Sequence, residues 1–248
     1  MRNFEDHFSR AAKDYARHRP RYPDELFAYL ASVSPGLRLA WDCGAGSGQA
    51  AVELARHFAR VVATDASPAQ LEHALRHERV EYRVEPAEAV SLEPGVVDLV
   101  TAAAAAHWFD LGAFYAEVRR VAAPGCVLAA WTYHQSLIEP AVDRALEGLS
   151  RTLGEYWPPR FHLVAERYRT LPFPFDELAP PGFEARAEWD LAQVLGFVES
   201  WSASQRYAAA QGRSAADSIR QELADAWGAP DLKRPVRWPL CLRVGRVG

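Results

Sequence analysis

Apolar positions in the first half of the chain change period repeatedly, and those changes predict the architecture. Leu37, Leu39, Ala40 and Trp41 form a short run suited to a buried strand. After it, Ala50, Ala51, Leu54, Ala55, Phe58 and Ala59 recur with helical spacing. Apolar runs at 61–63, 80–84, 96–102 and 126–132 predict four more strands, and helices are expected near 24–33, 49–59, 68–77 and 111–122. Such alternation implies a parallel sheet wrapped by helices. The helix after Asp110 is capped by that residue, buries Leu111, Phe114, Val118 and Val121, and is expected to stop at Pro124-Gly125. At the far end, 236–244 alternates apolar with polar residues, as in a half-exposed antiparallel edge strand, with 183–189 as its partner. A helix near 191–210 would carry Val194, Val198 and Trp201 on one face and leave Ser202, Gln205 and Arg206 for polar contacts.

Residues 136–181 interrupt the alternation with Trp157-Pro158-Pro159, Leu171-Pro172-Phe173-Pro174-Phe175 and Pro180-Pro181-Gly182. Proline and aromatic residues at this density predict an inserted segment laid over the sheet edge, either a lid or a structural excursion. The expected division is 1–35, 36–135, 136–181 and 182–248, the last completing the same domain as the core. The 248 residues, 49% hydrophobic and 24% charged, can bury a large core, and the net charge of −4 offers no positive field for nucleic acid or an anionic membrane. Cys43, Cys126 and Cys241 are odd in number and far apart, so they are expected to be reduced thiols rather than disulfides or metal ligands. With no apolar leader or membrane-length run, the expected location is cytoplasmic.

The turn between the first strand and its helix reads Asp42-Cys43-Gly44-Ala45-Gly46-Ser47-Gly48-Gln49. Glycines here permit positive φ and bring main-chain amides, backed by a helix N-terminus, within contact of a ligand. A phosphate-binding loop would need Lys-Ser or Lys-Thr where Gln49-Ala50 stands, and a dinucleotide fingerprint would need a small residue at Gln49. Asp65 follows Gly44 by about 20 residues, where a carboxylate accepts from ribose hydroxyls. Ser67-Pro68-Ala69-Gln70 is expected to cap the next helix by itself, with Gln70 closing a capping box, which leaves Asp65 for a ligand.

The pattern Asp42, Gly44, Gly46, Gly48 resembles the first motif of the class I S-adenosylmethionine-dependent methyltransferases. The stretch from Asp98 through His107-Trp108-Phe109-Asp110 to Phe114-Tyr115, Glu117, Arg120 and Pro124-Gly125 is similar to the small-molecule enzymes of the trans-aconitate methyltransferase group. Phe8, Tyr15, Arg19-Pro20, Tyr22-Pro23, Ser200-Trp201-Ser202 and Arg237-Trp238-Pro239-Leu240 extend that resemblance over nearly the whole chain. It implies an α/β fold with a doubly wound, Rossmann-like, seven-stranded, mostly parallel sheet, an antiparallel C-terminal edge strand and a helical or irregular lid insertion, with 1–35 as a cap over the cofactor. It also implies S-adenosylmethionine, leaving as S-adenosylhomocysteine. Gly44, Ala45 and Gly46 would meet its methionine end; Asp65 and Ala66 its ribose and adenine; Ala87 and Glu88 its adenine. Ala104 would lie at the methionine end, with Tyr15 and Arg19 closing over it. Pro86 and Ala104 depart from the family pattern, which often has Asp and a polar residue there.

Methyl transfer needs an acceptor lone pair held in line, and alignment can supply an effective concentration of ~10⁵ M. A carboxylate acceptor is ionised at neutral pH and needs no base, whereas a phenol or hydroxyl would be helped by one, for which His107 is the candidate. Trp108, Trp157, Trp201, His107 and Arg206 are the expected acceptor contacts, with Arg160 a further cation for an anionic acceptor; Trp189 and Trp238 are expected in the core. The expected function is methylation of a small molecule, at oxygen and at a carboxylate in one version, by a monomer or homodimer with no metal, nucleic-acid or membrane partner. The alternatives are a protein or nucleic-acid methyltransferase and a non-catalytic cofactor sensor or scaffold.

Overall fold

The computed structural model describes residues 19–248, so Phe8 and Tyr15 lie outside the described residues. The elements, in order, are α1 (Asp24–Val33), β1 (Leu39–Cys43), α2 (Gln49–Leu54), β2 (Arg60–Asp65), α3 (Pro68–Glu72), β3 (Val80–Val84), β4 (Val97–Ala103), α4 (Leu111–Val121) and β5 (Ala122–Thr132). They continue with α5 (Pro140–Thr152), α6 (Phe161–Ala165), β6 (Asp176–Glu177), β7 (Glu184–Trp189), α7 (Leu191–Glu199), α8 (Ser202–Gln211), α9 (Arg220–Trp227), β8 (Arg234–Pro239) and β9 (Cys241–Arg246).

Seven strands form one sheet in the order β3-β2-β1-β4-β5-β9-β6. The first five are parallel, and β9 runs antiparallel to β5. The chain starts at β1, winds outward through β2 and β3, then returns to the other side of β1 as β4. Beyond the carboxyl ends of β1 and β4 the winding reverses, which opens a crevice there. This is the doubly wound sheet with one antiparallel strand that the sequence implies, except that the two-residue β6 lies outside β9.

Both faces of the sheet are covered, and the side chains of one strand serve different cores. Ala40, Ala63, Leu99, Val127 and Ala129 pack with Leu26, Phe27, Leu54 and Phe58 on one face. Trp41, Val62, Val100 and Leu128 pack with Phe114, Val118 and Val121 on the other. Burial on both sides is why these strands are almost continuously apolar.

Several boundaries differ from the sequence reading. The helices expected at 49–59 and 68–77 end at Leu54 and Glu72. α4 passes directly into β5, which takes Pro124-Gly125 inside the strand, with a register shift opposite Val97 and Leu99. The single strand expected at 236–244 is two strands: β8 pairs with β7 in a separate two-stranded sheet, while β9 joins the main one. Pro239 has no N–H to continue the ladder, and at Leu240 the chain crosses between sheets, its amide bonding Phe183 O at 2.9 Å. The helix expected at 191–210 is also two: α7, closed by a capping box between Asp190 and Gln193, and α8, entered through extended Trp201. The 136–181 segment is more regular than its composition suggests, since α5 buries Val142, Ala145, Leu146 and Leu149. Among the described residues no helix is long and apolar enough to cross a membrane.

Candidate functional site

The reversal point holds a cavity of about 710 Å³, within the range of ligand pockets. The turn after β1 contributes Gly44, Ala45 and Gly46, the end of β2 contributes Asp65 and Ala66, and the loop after β3 contributes Ala87 and Glu88. Ala104 closes it beyond β4, and Arg19 and Arg206 reach it from elsewhere in the chain. Asp42 and Gly48, expected beside them, are absent from this wall. Asp42 is fully buried beneath the turn, where its Oδ1 accepts from Thr101 Oγ1 at 2.7 Å and its Oδ2 has no partner among the described residues; burial pushes its carboxyl up to about 7. Gly48 begins α2 with φ +77°, and a Cβ there would overlap the Tyr82 hydroxyl, so this glycine serves packing.

Asp65 holds the turn as well as facing the cavity. Its Oδ2 accepts from the Gly46 amide and its Oδ1 from the Ser67 amide, both at 2.8 Å. The self-sufficient cap expected at Ser67 does not form: Ser67 makes no side-chain cap bond, and the carboxylate of Asp65 takes its amide instead. Gln70 is thereby released from the expected capping box. It is 4% exposed, lines the cavity, and its Oε1 has no partner among the described residues. A Cβ on Gly46 would find only that Oε1, at 3.8 Å, so the floor of the cavity is bare backbone facing an unsatisfied amide oxygen. Sequence reasoning missed Gln70 because a glutamine three residues after a serine signals a cap. Its helical phase, facing back toward the glycines, was the available clue. Glu88, on the opposite rim, accepts from the Asp110 amide at 2.8 Å and so ties the loop after β3 to the start of α4.

A second cavity, of about 150 Å³, adjoins the first, and both are lined by Arg19, Ala104, Trp108 and Tyr133. Trp157 and Phe161 stack at 3.7 Å between centroids and 10° between planes, Trp201 leans against Trp157 at 5.8 Å, and all three line this chamber with Phe197. The residues between them, Pro158, Pro159 and Arg160, line the larger cavity instead, with Arg160 bonded to the Phe109 carbonyl. One strap of chain therefore walls both spaces. Of the expected acceptor contacts, His107, Trp108, Trp157 and Trp201 come together around the chamber, whereas Arg206 lines only the larger cavity. Trp189 and Trp238 pack in the core at 4.6 Å.

His107 is 7% exposed, and its Nδ1 lies 2.8 Å from the Tyr168 hydroxyl. Burial first, and the Arg19 charge second, push its imidazole down to about 3. The base role expected for His107 does not suit that setting, because a base working near neutral pH needs a proton affinity matched to it. Sequence reasoning also missed Tyr133 and His134, which follow β5 and line the chamber. Arg19 donates from Nη1 to the Tyr133 hydroxyl and from Nη2 to the Ser200 carbonyl, both at 2.9 Å. On the wall common to the two cavities, the guanidinium is the sole charged group among the described residues.

Comparison with known proteins agrees with this geometry. Residues 41–130 match the family described as a methyltransferase domain. A Dictyostelium discoideum protein named as a methyltransferase is 33% identical over 233 residues, covering 92% of this chain and 89% of its own. A Mycobacterium tuberculosis protein, named as an uncharacterized methyltransferase, is 34% identical over 170 residues, covering 68% of this chain and 65% of its own. The solved structure of an Anaeromyxobacter dehalogenans protein, described as a type II methyltransferase, superposes with a TM-score of 0.84 at 46% identity, covering 92% of this chain and 98% of that one.

Proposed function

The chain belongs to the class I S-adenosylmethionine-dependent methyltransferases, and from that premise we propose that it methylates a small, aromatic-bodied acceptor at oxygen, with a carboxylate as the acceptor group. The supporting observation is the junction of two cavities at a wall where, among the described residues, Arg19 is the charged group. The larger cavity suits the cofactor by the chemistry of its donors and acceptors. Asp65 supplies a carboxylate for ribose hydroxyls, Gln70 an unused amide oxygen for a cationic amine, the glycine turn bare amides, and Ala66, Ala87 and Glu88 the adenine end. Bound there, S-adenosylmethionine supplies an electrophilic methyl group and departs as S-adenosylhomocysteine.

The protein's share of the chemistry is alignment and charge selection. Trp157, Phe161 and Trp201 offer flat apolar walls that exclude water and fix a planar body. Arg19 draws an anionic oxygen to the junction and disfavours an ammonium there, because it adds a positive charge where the donor is already a cation. A carboxylate arrives ionised, so its methylation requires no proton acceptor, which accords with the poor basicity of His107. The small chamber and the net charge of −4 favour a small molecule over protein or nucleic acid. Buried, unpaired Cys43 and Cys126 fit a reducing, cytoplasmic setting.

The direct test is formation of S-adenosylhomocysteine with a panel of small aromatic carboxylates set against the matching amides and amines. Turnover confined to carboxylates is the expected result; turnover confined to amines would overturn the reading.

A further inference from the structure

His107 stands on a single 3-10 turn, Ala106–Trp108, facing the acceptor chamber, and its Nδ1 meets the Tyr168 hydroxyl at 2.8 Å. Tyr168 is wholly buried; Nδ1 is the acceptor at hydrogen-bond distance from its hydroxyl, and the His107 main-chain N–H and the Thr132 side chain approach the same oxygen. If Nδ1 carried the proton, that buried O–H would lose the acceptor 2.8 Å away, and orphaned buried donors are rarer than unused lone pairs. Nδ1 therefore accepts, and the ring proton resides on Nε2. Nε2 bonds to nothing else among the described residues and is open to the chamber that His107 lines.

We propose that Tyr168 fixes His107 as an Nε2–H donor, and that this N–H, together with Arg19, holds an oxygen of the acceptor carboxylate. The inference rests on the carboxylate reading above and makes His107 a positioning residue rather than a base. Selectivity follows, since a fixed N–H donates to an oxygen lone pair and turns away an ammonium or amide N–H.

The backbone is built to deliver this hydroxyl. Arg167 and Tyr168 both have positive φ, +57° and +56°, a region that side-chain-bearing residues rarely occupy. Two bonds hold the turn in that shape: the Tyr168 amide donates to Leu163 O at 2.8 Å, and Arg243 Nη1 donates to Tyr168 O at 3.0 Å. Burial holds the Tyr168 phenol well above its ordinary range, against the lowering effect of the His107 main-chain N–H and the Thr132 side chain, so its proton stays on the oxygen that meets Nδ1. Among the described residues, the other titratable or charged groups lining the chamber are Arg19, Tyr133, His134, Asp143 and Glu147, and of these Arg19 acts on His107, in the direction that keeps the ring neutral.

The test is a proton–nitrogen correlation spectrum of protein labelled with ¹⁵N-histidine, the His107 signals being assigned by their loss in His107→Gln. The expected wild-type signature is an Nε2–H tautomer that does not titrate across the neutral pH range and becomes a tautomer mixture in Tyr168→Phe. An Nδ1–H tautomer, or a ring titrating near the ordinary histidine value, would overturn the proposal. With S-adenosylhomocysteine present, benzoate should shift the Nε2–H signal and benzylamine should not. His107→Gln, which keeps an N–H in about the same place, should hold benzoate within a few-fold, while His107→Leu should weaken it more than tenfold. Benzoate that quenches tryptophan fluorescence yet leaves the Nε2–H signal unmoved would overturn the contact. Absence of any benzoate binding, with the tautomer as expected, would instead overturn the carboxylate reading and uphold the Tyr168–His107 pair.

Discussion

The carboxylate of Asp65 is bonded through Oδ2 to the Gly46 amide at 2.8 Å, joining the end of β2 to the turn that follows β1. Its second oxygen holds the Ser67 amide at the same distance, so one side chain shapes two loops of the larger cavity. Asp65→Ala should therefore have two separable effects. Ligand-free protein should lose on the order of 2 kcal/mol of stability, the scale of hydrogen bonds made to a charged group, measured by denaturant unfolding. Affinity for S-adenosylmethionine, measured by calorimetry, should fall more than tenfold; unchanged affinity would remove Asp65 from the cofactor site.

Gln70 separates binding from stability in the opposite sense. Its Oε1 is buried in the cavity wall without a partner among the described residues, so its removal should cost the ligand-free fold little. Gln70→Leu should leave the melting temperature nearly unchanged while raising the KM for S-adenosylmethionine several-fold at constant kcat, the pattern of lost uniform binding. A fall in kcat at unchanged KM would place Gln70 elsewhere in the mechanism.

How much of this was legible in the sequence depended on the range of the interactions involved. Strands β1, β2, β4 and β5 and the glycine turn were readable because burial on both faces imposes runs of apolar residues, and tight turns impose glycine; β3, at the sheet edge, showed only the alternation of Val80, Tyr82 and Val84 with polar residues. Asp65 was found by its spacing, yet its freedom was misjudged, because whether an amide is capped by Ser67 or by Asp65 is decided by backbone angles no local pattern records. The split of 236–244 between two sheets was hidden for a related reason: its alternation suits either sheet, and only the jog after Pro239 decides. Tyr168 was invisible, since nothing in Arg167-Tyr168-Arg169 announces successive positive φ values or a hydroxyl delivered to a histidine 61 residues away.

Asp42 should leave a mark on the pH dependence of stability. Its carboxyl is raised from 3.8 to about 7, chiefly by burial, so between those values the folded state keeps a proton that the unfolded state has released. Stability contributed by this group is thus present below about pH 4, is lost as pH rises toward 7, and stays lost above it. The full penalty is on the order of 4 kcal/mol. Asp42→Asn cannot release that proton, so its stability relative to wild type should rise between pH 4 and 7 and then level off. Denaturant titrations of both proteins across that range would show it; parallel curves would mean that Asp42 ionises normally.

Gly48 and Tyr82 form the sharpest steric pair in the turn, and their coupling can be measured. At φ +77°, a side chain on residue 48 is strained by its backbone and would also overlap the Tyr82 hydroxyl, which donates to the Leu75 carbonyl. Gly48→Ala should cost about 1–2 kcal/mol from the backbone alone, plus whatever moving the Tyr82 ring adds. Tyr82→Ala removes the obstruction but not the backbone strain, so in that background the added cost of Gly48→Ala should fall back to the backbone value. A double-mutant cycle by denaturant unfolding should therefore give an interaction energy of on the order of 1 kcal/mol or more, in the direction of relief. Strict additivity would mean that Tyr82 yields freely, and that the glycine is required by its backbone angle alone.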